Sequence, residues 1–259
     1  MAVLDTGPRL QRLTGHSFLG FVMAGLGRRI HSLAEGLVLI VRANPPRGPE
    51  ALILARTMWE ILVFAEYLAA VPQQREQRAI EYMAHTPPAR GDRRRKATPA
   101  DKRRAEANRA FLAEKLREEL ERQGASPDRA RRKATAEIQR RSGLSDPMPA
   151  KIFDMVTSVA KKDRLQEHAV TYPFLCQYSH AGGGSLIDAM RDYEEWVDQE
   201  GDSHSALVAS LFACGWLLEF YDCVDTVYSF GWHPRIVTMS QLAKSKWDRR
   251  GIPRGAADV

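Results

Sequence analysis

The chain has 259 residues, of which 44% are hydrophobic, and its formal net charge at pH 7 is +6. Its length allows one large domain or two small ones, and its apolar share is ordinary for a globular protein with a substantial core. The charge is uneven, because residues 87–145 contain 18 Lys and Arg against 9 Asp and Glu, whereas the rest of the chain contains 20 against 23. This excludes an evenly basic protein, and the local net charge of +9 indicates either an anionic partner or a solvated helix face.

The cysteines and the apolar stretches limit the cellular location. Cys176, Cys214 and Cys223 include no Cys-x-x-Cys pair, which argues against a disulfide framework and predicts a reducing compartment. The first residues lack the pattern of a signal peptide. The apolar stretches 51–71 and 206–230 contain charged residues that would be costly in lipid, so we predict buried helices and no membrane partner. Together these features predict a cytoplasmic protein.

The first third of the chain predicts helices separated by proline. Residues 1–15 have no helical pattern, and we expect them to be irregular. Apolar residues spaced by three and four predict a helix over 16–43. Residues 49–71 form the most apolar predicted helix, which Pro72 stops, and a third helix is expected over about 73–85.

The basic segment 87–145 predicts a helical hairpin. Each of its two helices has a Ser or Thr cap, a proline at the first position and a terminal glycine; these residues are Thr98, Pro99, Gly124, Ser126, Pro127 and Gly143. Leu112, Leu116 and Leu120 form only a thin apolar stripe, and such helices need support from a neighbour. We predict a peripheral, mobile insert that binds RNA or DNA, or a protein partner.

Three further helices are predicted after residue 146. They cover 149–162, from Leu165 to the glycines at 182–184, and about 203–229. Gly231 and Pro234 are expected to end the last one.

No alternation of β-branched residues demands a sheet, so the predicted class is all-α. The predicted organisation is a helical-bundle core in 1–86 and 146–235, a basic helical insert in 87–145 and a basic tail in 236–259.

Two charged side chains interrupt the apolar helix predicted over 49–71. Arg56 and Glu60 are four residues apart and therefore share a face, and Tyr67 falls close to the same line three turns later. A helix that is apolar on its other sides is usually buried, so we expect partners from elsewhere in the chain. The pair is either a structural ion pair or a clamp for an anion, in which Glu60 holds Arg56 or a histidine in place.

A second candidate element precedes the glycine run. Tyr172, Cys176 and His180 are spaced by four and share one helical face, with Tyr178 and Ser179 beside them. A histidine can act as general acid or base near neutral pH, and the tyrosines and the serine could orient it or bind substrate. The alternative is a histidine that caps a helix end and has no chemical role.

Other polar pairs are weaker candidates. Arg164 and His168 are four residues apart, and Asp222 and Asp225 could be paired carboxylates or one solvent-facing edge. The histidines have no metal-ligand spacing, and the glycines at 182–184 follow no predicted strand, so they form no phosphate loop. We therefore predict neither a metal nor a cofactor.

Two motifs resemble those of a family of uncharacterised bacterial all-helical proteins, a domain of unknown function: Ala55-Arg56-x3-Glu60-x6-Tyr67-Leu68 and Tyr172-x2-Leu175-x4-His180. The resemblance covers roughly 20–85 and 148–230, and the insert looks additional to the family core. Cys176 stands where the family motif has a serine. The arrangement is also distantly similar to the HEPN group of prokaryotic defence and toxin domains, which use an Arg and a His without a metal, although their contiguous motif is missing here.

The sequence supports three hypotheses for the function of the protein. In the first, the protein is a metal-independent nuclease or phosphodiester-acting protein of a defence or toxin type. Arg56, Glu60 and His180 would be catalytic, and Tyr67, Tyr172, Tyr178 and Ser179 would bind substrate. In the second, it is a non-enzymatic scaffold that binds nucleic acid or protein through the insert. In the third, the bundle contains a pocket in which Arg56 holds a small anionic ligand.

Overall fold

The computed structural model of the protein describes residues 6–13, 17–44, 46–84, 99–142, 152–159, 161–179 and 200–249. Throughout these ranges every regular element is helical, which confirms the predicted all-α class and helical bundle. The α-helices are α1 (Thr6–Leu13), α2 (Phe18–Val41), α3 (Gly48–Ala69), α4 (Arg75–Ala84), α5 (Pro99–Arg122), α6 (Pro127–Ser142), α7 (Ile152–Val159), α8 (Lys162–Ala169), α9 (Thr171–Ser179), α10 (Glu200–Tyr228) and α11 (His233–Arg249). A short 3-10 helix, Pro72–Gln74, precedes α4.

The chain divides into two compact units. The first unit contains Gly25–Ala69 and the described part of Ile152–Val259, and the second contains Thr6–Ala24 and the described part of Ala70–Lys151. The predicted boundaries at 86, 146 and 235 remain predictions.

Helix α3 lies at the centre of the first unit. It packs along α10 and against α7 and α9, and Leu52, Met58 and Leu62 on it are completely buried. This agrees with the expectation from its sequence, since a helix that is apolar on nearly all sides is stable only when other elements cover it. The candidate residues Arg56 and Glu60 are therefore held on the best-covered helix of this unit.

The predicted helical hairpin forms the larger part of the second unit. Helices α5 and α6 begin at the two predicted prolines, and Gly124 between them has φ of +90°. The backbone N–H of Ala125 donates to the oxygen of Leu120 and that of Gly124 to Glu121, a glycine-terminated helix end that satisfies two carbonyls. The hairpin shares a small core with α4, built from Ile80, Ala84, Leu112, Leu116, Leu120, Ala130, Ala134 and Ile138.

Two helices lie where the sequence predicted none, and the single helix predicted from Leu165 is divided into α8 and α9. Residues Thr6–Leu13 form α1 where we expected irregular chain, and Leu10 and Leu13 on it are buried. Helix α11 begins at His233, directly before Pro234, which we expected to act only as a stop signal. A proline is tolerated in the first turn of a helix, because the N–H it lacks would have no partner within the helix.

One segment of α10, Ser203–Tyr228, is long and apolar enough to cross a membrane, as judged by length and composition within the described residues. Core helices of globular proteins pass the same test, so this is weak support for a membrane span. In the structure, α10 packs along α3 and contacts α11.

Candidate functional site

Arg56, Glu60 and Tyr172 form a hydrogen-bonded cluster in the first unit. The Arg56 guanidinium lies 2.9 Å from Glu60 Oε1 and donates to the Tyr172 hydroxyl at 3.3 Å. The Tyr172 hydroxyl in turn donates to Glu60 Oε1 at 3.1 Å. Residues more than 100 positions apart thus meet, because α9 packs against α3. The side chains of Arg56 and Glu60 remain 16% and 22% exposed, so the cluster is not sealed from solvent.

A row of aromatic rings adjoins this cluster. The Tyr172 ring lies 4.7 Å from the buried Trp59 ring and is stacked on the His168 ring at 5.5 Å, and the His168 ring lies 5.5 Å from that of Phe153. The Arg56 Cζ atom lies 5.4 Å from the centre of the Tyr172 ring, within the range of a cation–π contact. The Trp59 ring also lies 6.2 Å from the His168 ring. Buried Trp59 is thus on the inner side of the row, and Phe153, which is 55% exposed and tilted by 55° from His168, is on its outer side.

The environment makes the Tyr172 hydroxyl harder to deprotonate than that of an ordinary tyrosine. Burial raises the pKa of Tyr172 to about 12; the hydrogen bond from Arg56 opposes this rise, and the charge of Glu60 adds to it. Burial lowers the pKa of Arg56, but the hydrogen bond to Tyr172 and the charge of Glu60 outweigh burial and leave that pKa raised. The cluster therefore presents a cation, a carboxylate and a neutral phenol, a combination that can bind an anion and move a proton.

A second polar network, which we did not predict, lies deeper in the same unit. Arg164 is 1% exposed and donates from Nε to Glu66 Oε2 at 2.7 Å. It also forms ion pairs with Glu167 and Glu219, and Lys161 lies 2.6 Å from Glu66 Oε1. Arg164 thus pairs carboxylates from α3, α8 and α10. Buried charges require such partners, so the carboxyl of Glu66 in an apolar helix was the signal that could have indicated a distant cation.

Glu167 links this network to the aromatic row. Its Oε2 accepts from the Trp59 indole N–H at 2.7 Å, and its Oε1 accepts from the Trp216 indole N–H at 3.2 Å. Because Trp59 also contacts the Tyr172 ring, the network holds the inner end of the row in place.

Of the remaining predicted site residues, Tyr67 is the one whose side chain the structure describes. Tyr67 is half-buried on α3, and a rise of 1.5 Å per residue places it about 16 Å along the axis from Arg56, too far for one phosphate group to touch both. Tyr178 and Ser179 belong to α9, but their side chains lie outside the described residues, as does all of His180.

Asp222 and Asp225 have structural partners. The Asp222 carboxylate lies 2.6 Å from His233 Nδ1, and Asp225 accepts from the His233 backbone N–H at 2.9 Å. They join α10 to the start of α11. Within the described ranges, no group of three or more His, Cys, Asp or Glu side chains is arranged to hold a metal.

Comparison with known families extends these observations. The model of DUF5677, a family of unknown function, matches residues 20–195. The chain belongs to this family. The DUF5677 match includes Arg56, Glu60 and Tyr172, together with Glu66, Arg164 and Glu167, and its range also includes the hairpin. No curated protein and no solved structure matches the chain.

Proposed function

We propose that this DUF5677 protein is a metal-independent nuclease or phosphodiester-acting protein whose centre is Arg56, Glu60 and Tyr172. The observation that carries the proposal is the partly open cluster formed by α3 and α9. Arg56 would bind the phosphate, and Glu60 would orient Arg56 or accept a proton. Tyr172 would donate a hydrogen bond. His180 follows α9 directly in the chain and would be the general acid or base.

An RNA-cleavage assay in EDTA tests this proposal. The wild-type chain should cleave a labelled single-stranded RNA. Arg56→Ala, Glu60→Gln and His180→Ala should each lower the rate at least about 100-fold, the lower range for one positioned acid or base. Arg235→Ala, an exposed arginine of α11, is the control and should retain full activity.

A purely structural cluster would give a different result. Arg56 and Glu60 then only hold α9 against α3, and their variants would lower the thermal midpoint while no RNA is cleaved by any form of the protein. Cleavage that survives Arg56→Ala or His180→Ala in a folded protein would contradict the proposal equally.

A second candidate function is nucleic-acid binding through the hairpin. Helix α6 buries Ala130, Ala134 and Ile138 and exposes a run of basic side chains on its other face; these are Arg129, Arg131, Arg132 and Lys133. In α5, by contrast, Lys115, Arg117 and Arg122 form ion pairs with glutamates of the same helix. The exposed face of α6 is therefore suited to phosphate contacts.

Salt dependence tests this second candidate. A plot of log affinity against log salt has a negative slope. Replacing Arg129, Arg132 and Lys133 with glutamine should reduce the magnitude of this slope by about 2, because each phosphate contact releases about 0.7–0.9 counterion. The matched control replaces the ion-paired Lys115, Arg117 and Arg122 with glutamine and should change the slope less. Equal slopes for both triple variants and the wild-type chain would exclude this face and favour a protein partner for the hairpin.

The biological setting is part of the proposal. A role in prokaryotic defence or as a toxin rests on the resemblance to the HEPN group, and a cytoplasmic location rests on the absence of any predicted disulfide framework. Growth arrest on expression of the wild-type chain, but not of Arg56→Ala, would be the expected outcome for a toxin. A small anion bound at Arg56 without any cleavage would favour the third hypothesis instead.

A further inference from the structure

We propose that the row formed by Phe153, His168 and Tyr172 is a stacking platform for a nucleobase, placed beside the phosphate site at Arg56. The inference rests on the proposed function and names its substrate class, a nucleotide with one base on the row and its phosphate at the guanidinium.

The rings lie between the core and the solvent, and Trp59 contacts both Tyr172 and His168. Trp59 is buried and fixed by its bond to Glu167, and Tyr172 packs on Trp59. His168 is nearly parallel to Tyr172, with 15° between the ring planes. Rings supported from behind in this way are pre-organised to accept one more flat ring at little entropic cost.

The outer end of the row is open. Phe153 exposes 55% of its surface, because Met155 and Val156 form the buried side of α7. A single exposed phenylalanine is ordinary on a protein surface. Here, however, the exposed ring packs against the His168 ring at 5.5 Å, with 55° between the ring planes. Bases of any sequence can stack on an aromatic ring that is exposed in this way.

The charge at the side of the row selects the ligand. Arg56 Cζ lies 5.4 Å from the Tyr172 ring, and the His168 ring lies 5.5 Å from the same ring. The Arg56 Cζ atom and the centre of the His168 ring are thus at most about 11 Å apart. A guanidinium suits a phosphate, and a nucleotide combines a phosphate with a flat aromatic ring.

Isothermal titration with three probes tests the platform: adenosine 5′-monophosphate, ribose 5-phosphate and a short single-stranded oligonucleotide. Phe153→Ala should weaken adenosine monophosphate about 5- to 150-fold, the range found when a stacking aromatic is replaced by alanine, and should leave ribose 5-phosphate unchanged. Phe111→Ala is the matched control, since Phe111 is 53% exposed on α5, and should change neither affinity.

The outcomes separate this inference from the proposed function. Equal affinity for adenosine monophosphate in the wild-type chain and Phe153→Ala overturns the platform. If ribose 5-phosphate still binds and Arg56→Gln abolishes its binding, the phosphate site survives without the platform. If neither small probe binds the wild-type chain, both proposals fail. An oligonucleotide that binds no more tightly than adenosine monophosphate supports the platform for a free nucleotide and contradicts the nuclease proposal.

Discussion

Glu66 and Arg164 lie 98 positions apart in the chain and are joined by two hydrogen bonds, Nε to Oε2 at 2.7 Å and a terminal guanidinium nitrogen to Oε1 at 3.3 Å. Glu66 is 4% and Arg164 is 1% exposed. A pair with this geometry provides each of the two buried charged groups with the hydrogen bonds that water would otherwise supply. It ties α8 to α3, and α9, which carries Tyr172, begins two residues after the end of α8.

Removing Arg164 should destabilise the first unit strongly. Arg164→Ala leaves Glu66, Glu167 and Glu219 without their shared cation, and breaking a buried pair costs about 3–5 kcal/mol. All five tryptophans belong to the sequence ranges of the first unit, so urea unfolding followed by tryptophan fluorescence measures this loss.

The control for this prediction is Arg140→Ala, which breaks an exposed ion pair of α6. Its cost in unfolding free energy, measured by far-ultraviolet circular dichroism, should be less than about 1 kcal/mol. A loss below about 1 kcal/mol for Arg164→Ala would show that the network is not needed for stability.

This network also marks the limit of what the sequence could predict. The starts of α5 and α6 and the end of α3 were predictable, because proline and glycine act on the residues beside them. Arg56 and Glu60 were visible because they share one helix. The pairing of Glu66 with Arg164 depends on how α7 and α9, which flank α8, pack on α3, and no local spacing encodes that packing. Helix α11 was missed because a proline near a helix end is equally suited to a helix start.

The Tyr172 hydroxyl should give the first unit an alkaline transition. Its folded pKa of about 12 lies above the ordinary value of 10.0, so the folded state holds the proton more tightly than the unfolded state. The corresponding stability is fully present below pH 10 and is lost as the pH rises towards 12. The urea midpoint of the wild-type chain should therefore fall more between pH 9 and pH 11 than that of Tyr172→Phe. Equal falls would mean that Tyr172 titrates normally.

The pair of His233 and Asp222 should stabilise the junction of α10 and α11 at acidic pH. The hydrogen bond and charge of Asp222 raise the pKa of His233 above 6.5, so the folded state binds the proton more tightly. This contribution is present below pH 6.5 and is lost as the pH rises through the raised pKa. The thermal midpoint of Asp222→Asn should fall below that of the wild-type chain at pH 5.5 and match it at pH 8.5. A difference that is the same at both values would contradict a proton-linked pair.

Leu116 should be essential for the hairpin. It is 2% exposed in the core that α5 and α6 share with α4, and truncating a buried leucine to alanine costs about 2–5 kcal/mol. Amide hydrogen exchange of α5 should then accelerate at least about 30-fold in Leu116→Ala, because exchange of buried amides follows the free energy of opening. Phe111→Ala removes a larger but exposed side chain of the same helix and should change exchange little. Slow exchange in Leu116→Ala would contradict the shared core and favour a hairpin held by its ion pairs alone.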